Sequence, residues 1–321
     1  MRVAGIDCGT NSLRLLIADI DGGQVRDVVR RMEVARLGEG VDRTGEFSAE
    51  ALARTFAITD DYAEELKRHG VERVRFAATS ASRDVSNRDE FTRGITDRIG
   101  QEPQVISGLA EAQLSFLGAL SAVSVEPDEL VAVVDLGGGS TEIVVGSARS
   151  GAVGEHSMNV GCVRMQERHL HDDPPTPDQI EAARRDVRAA LDEAQRVPLG
   201  RATRLIGLAG TVTTVTARAL HLPAYDPRAI DATFLTVDEI DAACDFFLTA
   251  NREQRAAEGY LHPGRVDVIA AGALVWQEVV HRAAELIPSL EGATTSEHDI
   301  LDGLALWAAG ELDIGPELLR D

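Results

Sequence analysis

The sequence predicts an α/β protein made of two duplicated domains. Three observations carry this. The chain has 321 residues, more than the ~100–200 of a usual single domain. Short apolar runs of strand length alternate with longer helical patterns along it. The pattern then restarts: at an offset of 128 residues, Val3-Ala4-Gly5-Ile6-Asp7-Cys8-Gly9-Thr10-Asn11-Ser12 falls on Val131-Ala132-Val133-Val134-Asp135-Leu136-Gly137-Gly138-Gly139-Ser140. Val, Ala, Asp, Gly and Ser repeat, and an apolar run follows each glycine turn. Two copies describe duplicated domains, not a solenoid.

The elements follow in order. Arg2–Asp7, Leu13–Ile20 and Gln24–Ala35 read as strands, parted by turns at Cys8–Ser12 and Asp21–Gly23. A serine start and the Gly70 stop frame a helix over Ser48–His69. Strand Arg73–Thr79, helix Asn87–Ile99, short strand Pro103–Ile106 and helix Ala110–Ala122 come next. Glu126-Pro127-Asp128 is the linker, which sets the domains at 1–125 and 126–321, with the last helix, about 298–311, able to pack back on the first. The second half repeats strands at Leu130–Asp135 and Thr141–Gly146. Helices are expected near Cys162–His171, Thr176–Arg196, Thr213–Leu220, Val237–Ala250, Arg265–Ala283 and Ile300–Ala309, and a strand at Arg204–Ala209. His171–Pro177 and Leu222–Arg228, rich in Pro and Asp, read as loops.

Composition removes several function classes. A net charge of −21 argues against a general nucleic-acid coat, and 4% aromatic residues against a single-strand stacking platform. Neither excludes a small anion held by backbone amides and a few arginines. Lys67 is the only lysine, so no P-loop exists. Cys8, Cys162 and Cys244 are too scattered for a disulfide framework or a zinc cluster. The N-terminus carries no signal-peptide pattern, and the longest apolar run, Val266–Trp276, is too short for a bilayer. The expectation is a cytoplasmic protein with neither nucleic acid nor membrane as partner.

The two glycine turns carry the chemistry. A tight strand–turn–strand with glycine leaves backbone N–H groups pointing into a concavity, a nest for phosphate oxygens that needs no lysine. Thr10, Ser12 and Ser140 add hydroxyl donors. Asp7 and Asp135, each at a strand end in line with its turn, are the hard oxygen ligands that Mg²⁺ prefers. Either hairpin alone reads equally well as an ordinary turn. Two in register favour a shared phosphate–metal cleft. Cys8 pairs with Leu136 in the repeat, which suggests packing. The His169-x-His171-Asp172-Asp173 stretch reads as a polar loop, and Ser296-x-x-Asp299 as a helix cap.

Asp7-x-Gly9-Thr10-Asn11-Ser12, Ser107-Gly108-x-x-Glu111-Ala112, Asp135-x-Gly137-Gly138-Gly139-Ser140-Thr141-Glu142 and Gly210-Thr211-Val212-Thr213-Thr214 together resemble the exopolyphosphatase / guanosine pentaphosphate phosphatase (Ppx/GppA) family. Val160–Met165, Gly264–Val268 and Ser296–Gly303 agree, the last in the manner of short actinobacterial-type members. The resemblance implies two ribonuclease-H-like domains of the actin / sugar kinase / heat-shock chaperone superfamily with an interdomain cleft. It implies Mg-dependent hydrolysis of terminal orthophosphate from inorganic polyphosphate, favouring short chains, because longer relatives carry extra C-terminal helical domains. Mn²⁺ is the alternative ion, and a homodimer the implied assembly.

Site residues follow from the same resemblance. Glu111 matches the catalytic base, although Ala110 replaces the glutamate that commonly precedes it. Arg83 and Thr79 match residues on the substrate phosphate, and Glu142 one that holds metal or water. Gly9, Thr10, Asn11, Ser12, Gly137, Gly138, Gly139 and Ser140 are expected around the phosphoryl oxygens, with Gly210 and Thr211 further along the substrate. Asp7, Asp135 and Glu142 form the expected metal set. Considered without the family, Glu111 reads as a solvated acid in a helix's first turn, and Arg83 as a surface partner of Asp84 or Asp89. A rim of arginines, Arg83 and Arg164 among them, is expected to offset the acidic body. The alternatives are pppGpp 5′-phosphohydrolysis by the same chemistry, a superfamily kinase or ATPase, and a non-catalytic phosphate-ligand sensor.

Overall fold

The structure, a computed structural model, describes residues 1–83 and 85–315. It divides into two compact units: Met1–Ala122 together with the chain from His298 on, and Val123–Glu297. Each is mixed α/β around its own sheet, the class expected from the sequence.

The first unit carries a five-stranded sheet in the order β3-β2-β1-β4-β5: β1 Arg2–Cys8, β2 Leu13–Asp21, β3 Gln24–Glu33, β4 Arg73–Ala78 and β5 Gln104–Val105. β1, β2 and β3 form an antiparallel meander, while β4 and β5 continue parallel to β1. Side chains alternate across a strand, and here both faces are covered. Ala4, Ile6, Cys8, Leu13, Leu15 and Ile17 face the Ala49–Arg68 and Arg88–Ile99 helices with Tyr62 and Phe91. Val3, Leu16, Ala18 and Ile20 face the Ile300–Ala309 helix through Leu301 and Ala305. That is why the strands read as continuous apolar runs. The Gly108–Leu120 helix lies with Ile300–Ala309, packing Ala110 and Leu114 on Ile300 and Leu304. Gly5 and Gly118 permit this approach. A Cβ at Gly5 would sit 2.8 Å from Leu304 Cβ, and one at Gly118 1.9 Å from the Asp299 carbonyl oxygen.

The second unit carries a six-stranded sheet in the order β10-β11-β9-β6-β7-β8: β6 Val131–Leu136, β7 Thr141–Ser147, β8 Gly151–Met158, β9 Arg204–Leu208, β10 Phe234–Thr236 and β11 Gly292–Thr295. β6–β8 repeat the meander of β1–β3, β9 is parallel to β6 as β4 is to β1, and β11 is parallel to β9. The internal repeat is thus a repeat of topology, with β10 added at one edge. Its single core gathers Val134, Val145, Val215, Phe247 and Trp276 between sheet and helices.

The differences from the expected elements have local causes. β8, β10 and β11 were not expected. The Ala209–Ala219 helix starts four residues before Thr213. Pro263–Arg265 is a 3₁₀ turn, so the following helix begins at Ile269, not Arg265. Leu222–Arg228 contains the start of a short helix at Pro227–Ile230. The last helix is capped by Asp299 with Asp302 at N3, three residues along from the cap assigned to Ser296. Among the described residues no helix is long and apolar enough to cross a membrane.

Candidate functional site

Both glycine hairpins have the same local build. Gly9 N–H donates to the Ser12 carbonyl at 3.0 Å, and Gly137 N–H to the Ser140 carbonyl at 3.0 Å. The remaining carbonyls of each turn are consumed from behind. In the first, Thr10 O accepts from Gly38 N–H and Asn11 O from Arg36 N–H, both at 2.8 Å. In the second, Gly137 O accepts from Cys162 N–H and Gly138 O from the N–H groups of Val163 and Arg164. Gly139 O accepts from Arg164 Nε at 2.8 Å. A trans peptide is planar, with C=O and N–H opposed. The N–H groups of Asn11 and Ser12, and those of Gly138, Gly139 and Ser140, therefore point away from these supports. In each unit that is a row of donors presented together, the geometry of an anion nest.

The second support is also a helix cap. Gly161 offers no side-chain cap to the Cys162–His169 helix, so the hairpin carbonyls satisfy its first-turn N–H groups. The fit is close. A Cβ at Gly161 would lie 2.5 Å from Gly138 O, and one at Gly38 2.3 Å from Thr10 Cγ2.

Polar atoms are stranded in both turns. Asp7 Oδ1, Thr10 Oγ1 and Ser140 Oγ are buried with no hydrogen-bond partner. Buried polar groups are nearly always satisfied, so such atoms mark a place where a ligand completes the set. Thr79 joins the first turn: its N–H donates to Cys8 O at 3.1 Å, and its hydroxyl would be 4.0 Å from a Cβ on Gly9.

The two strand-end aspartates differ in environment. Directly opposite Asp7 in β2 stands Arg14, whereas directly opposite Asp135 in β7 stands Glu142. Arg14 donates to Asp7 Oδ2 from Nε at 2.9 Å and Nη2 at 2.7 Å, and pairs through Nη1 with Asp299, the cap of the last helix. Burial still pushes the Asp7 carboxyl above the usual range, because the Arg14 charge and hydrogen bonds offset it only in part. Glu142, 1% exposed, accepts from Ser157 Oγ at 2.7 Å through Oε1. Among the described residues no three His, Cys, Asp or Glu side chains gather as a metal-binding group.

Glu111 is not a solvated acid. It is 8% exposed in the first turn of Gly108–Leu120, and Arg83 Nη1 lies 2.9 Å from its Oε2. Arg83 also donates to Ile106 O at 3.2 Å. Arg83, with a side chain only 12% exposed, and Arg164, tied to Gly139, are built into the fold and do not form an outer rim. Ala110 points into the core with no exposure, beside Leu114 and Ile300. A glutamate at that position would be buried.

Gly210 and Thr211 open the Ala209–Ala219 helix behind β9, after Ala209 at φ 69°, a left-handed conformation uncommon for alanine. The Arg265 guanidinium lies where a Gly210 Cβ would be, 0.9 Å from it. The Tyr225 hydroxyl sits 2.9 Å from Thr213 Oγ1 and 2.6 Å from Glu297 Oε1. Arg14 and Tyr225 were passed over in the sequence, Asp299 was read there only as part of a helix cap, and Arg265 only as one position of the Gly264–Val268 stretch. Arg14 alone left a local signal, a charge inside the apolar run Leu13–Ile20.

Comparison with known proteins agrees. A model of the Ppx/GppA phosphatase family matches residues 16–291. Exopolyphosphatase 2 of Mycobacterium tuberculosis is 48% identical over 319 residues, covering 96% of this chain and 99% of that protein. The crystal structure of an exopolyphosphatase-like protein superposes with a TM-score of 0.92 at 43% identity, over 97% of this chain and 100% of that one. That of an exopolyphosphatase from Cytophaga hutchinsonii does so with 0.85 at 26% identity, over 97% and 98%.

Proposed function

The chain belongs to the Ppx/GppA phosphatase family, and from that premise we propose that it is an exopolyphosphatase, releasing terminal orthophosphate from inorganic polyphosphate. The observation that carries this reading is the buried Arg83–Glu111 pair at 2.9 Å. It holds a carboxylate in fixed orientation beside a cation whose planar fork suits phosphoryl oxygens.

The N–H groups of Asn11 and Ser12, with the Thr10 and Thr79 hydroxyls, take the oxygens of a phosphoryl group at the first hairpin. Gly138, Gly139 and Ser140 offer the same to phosphate at the second, and the Gly210–Thr211 helix start, with Arg265 against it, suits a further anionic group. Glu111 orients a water and accepts its proton. The water oxygen bonds to the terminal phosphorus. The bridging P–O bond breaks, and its electron pair leaves with a chain one phosphate shorter. Arg83 neutralises charge that grows on the equatorial oxygens.

A divalent cation fits the residues present. Asp7 keeps one buried carboxylate oxygen without a partner. Asp135 and Glu142 stand face to face in register, an unfavourable like-charge pair that a cation relieves. Mg²⁺, which keeps several waters and takes one or two carboxylates plus phosphate oxygens, would be held by Asp7 in the first unit or by Asp135 with Glu142 in the second, since the three do not gather as one group among the described residues, and would supply charge neutralisation on the phosphate. Cytoplasmic location, expected from the cysteine usage, and a homodimer, implied by the family resemblance, belong to the same proposal.

The test is phosphate release by the purified chain with Mg²⁺ from short polyphosphate, long polyphosphate and pppGpp. Glu111→Gln should lower turnover by about 10²–10⁴-fold. Wild-type turnover by that variant would overturn Glu111 as base. Release from pppGpp alone would replace the substrate assignment, and release from none would overturn the enzyme reading.

A further inference from the structure

The first unit holds a second arrangement of arginines, away from its hairpin. β4 runs from Arg73 to Ala78 and delivers Thr79 to the glycine turn. Arg73 and Arg75 lie at its other end, with Arg73 about 20 Å of strand away from Thr79 at ~3.3 Å per residue. A cavity of about 870 Å³ opens there, lined among others by Glu72, Arg73, Arg75, Gln101, Trp307 and Asp313.

Arg73 and Arg75 are two apart on one strand and so share a face. The Arg75 guanidinium stacks 4.1 Å from the Trp307 ring centroid and donates to Gln104 Oε1 at 3.1 Å. The Arg73 guanidinium reaches Gly310, the C-cap of the Ile300–Ala309 helix, whose dipole favours a cation there. Among the described residues neither guanidinium has a carboxylate within ion-pair distance. Glu72 is engaged by the backbone N–H of Arg2 at 3.0 Å. Burial and the charge of Arg73 both weaken the hold of Arg75 on its proton, a repulsion that a bound anion would relieve.

We propose that this cavity is an accessory anion site for a short inorganic phosphate chain, with Arg73 and Arg75 as its binding residues. Planar guanidinium forks match phosphoryl oxygens. Two of them on one face suit a ligand that carries several phosphoryl groups, not a single one. Trp307 already has Arg75 stacked on it, so the ring serves to aim that fork. The site stands apart from the catalytic proposal, and its test reads binding without turnover.

The chain has two tryptophans, Trp276 and Trp307, so Trp276→Phe leaves Trp307 as the reporter. Tripolyphosphate, titrated without divalent metal into the full chain, should give a saturable change in Trp307 emission, weakened by added salt. Arg73→Ala should weaken the apparent affinity about tenfold or more, with Arg73→Lys between the two. If Trp276→Phe does not fold, the difference between wild type and Trp307→Phe supplies the same signal. Absence of a saturable change, or a change that Arg73→Ala leaves unmoved, would overturn the site. Equal affinity for orthophosphate would overturn its assignment to a multiply phosphorylated chain.

Discussion

Gly161→Ala tests whether the second hairpin is positioned by the helix behind it. Gly161 has an extended backbone, φ −158° and ψ 168°, which alanine adopts freely, so the added Cβ acts by contact alone. It would meet Gly138 O at 2.5 Å, Gly138 C at 2.6 Å and Gly139 N at 2.8 Å. All three are backbone atoms of the hairpin, and no flexible side chain can yield. Restoring an ordinary separation of 3.4 Å moves the 138–139 peptide by about 0.9 Å. Overpacking of this kind costs about 1–3 kcal/mol, which a folded chain of this size can tolerate. Displacement of a substrate-positioning group by ~1 Å costs about 10²-fold in rate. The assay is kcat/KM for phosphate release beside thermal unfolding. The control is Gly200→Ala, whose Cβ would meet Leu286 O at 2.9 Å, away from the hairpin. It should lose stability and keep its specific activity. A folded Gly161→Ala protein with wild-type kcat/KM would refute the reasoning.

Other outcomes follow from buried charge. Arg14→Met strands Asp7 and Asp299 and should destabilise the chain by about 3–5 kcal/mol at neutral pH, measured by urea unfolding. The loss should shrink as pH falls and Asp7, already raised by burial, takes up a proton. Burial alone would raise Asp302, but the His298 hydrogen bond, the Arg30 charge and the Asp299 N–H together hold it below the usual range. Its contribution is therefore present above its unfolded value near ~4 and is lost as pH falls through the lower folded value. The stability gap between wild type and Asp302→Asn should be widest near neutrality and close in acid, and a gap that persists at low pH would contradict this. Ala110→Glu should destabilise by several kcal/mol, because position 110 is fully buried among apolar side chains. Unchanged thermal stability would show that the site opens to water.

The duplicated sheets and the glycine turns were legible because their signal is local. An apolar run, an aspartate and a glycine turn recur at one offset. The unexpected strands lack such a signal. β8, Gly151–Met158, carries Gly, Glu, His and Ser and is half-exposed along most of its length, so no apolar alternation marks it. β11 is four residues, Gly-Ala-Thr-Thr, too short to show a period. The Arg14–Asp299 contact spans 285 positions of sequence, and only folding brings it together. Glu111 illustrates the same limit. Its place in a helix's first turn was legible, but its burial against Arg83 depends on the segment that follows β4. The rim expected from Arg83 and Arg164 rested on net charge, which says nothing about which arginines a fold consumes internally.

The split of the first unit has a consequence for synthesis. Residues 2–105 leave the ribosome with every strand of their sheet, yet one face of that sheet is covered by the Ile300–Ala309 helix. Val3, Leu16 and Ala18 stay without that cover until nearly two hundred further residues have been translated. The second unit is one continuous segment, Val123–Glu297, and can close its core in the meantime. Domains usually mature from the N-terminus onward; here the order is inverted, and the half made first is finished last. A nascent chain halted just before residue 300 would display a completed second unit and a first unit with an apolar sheet face exposed to chaperones and proteases.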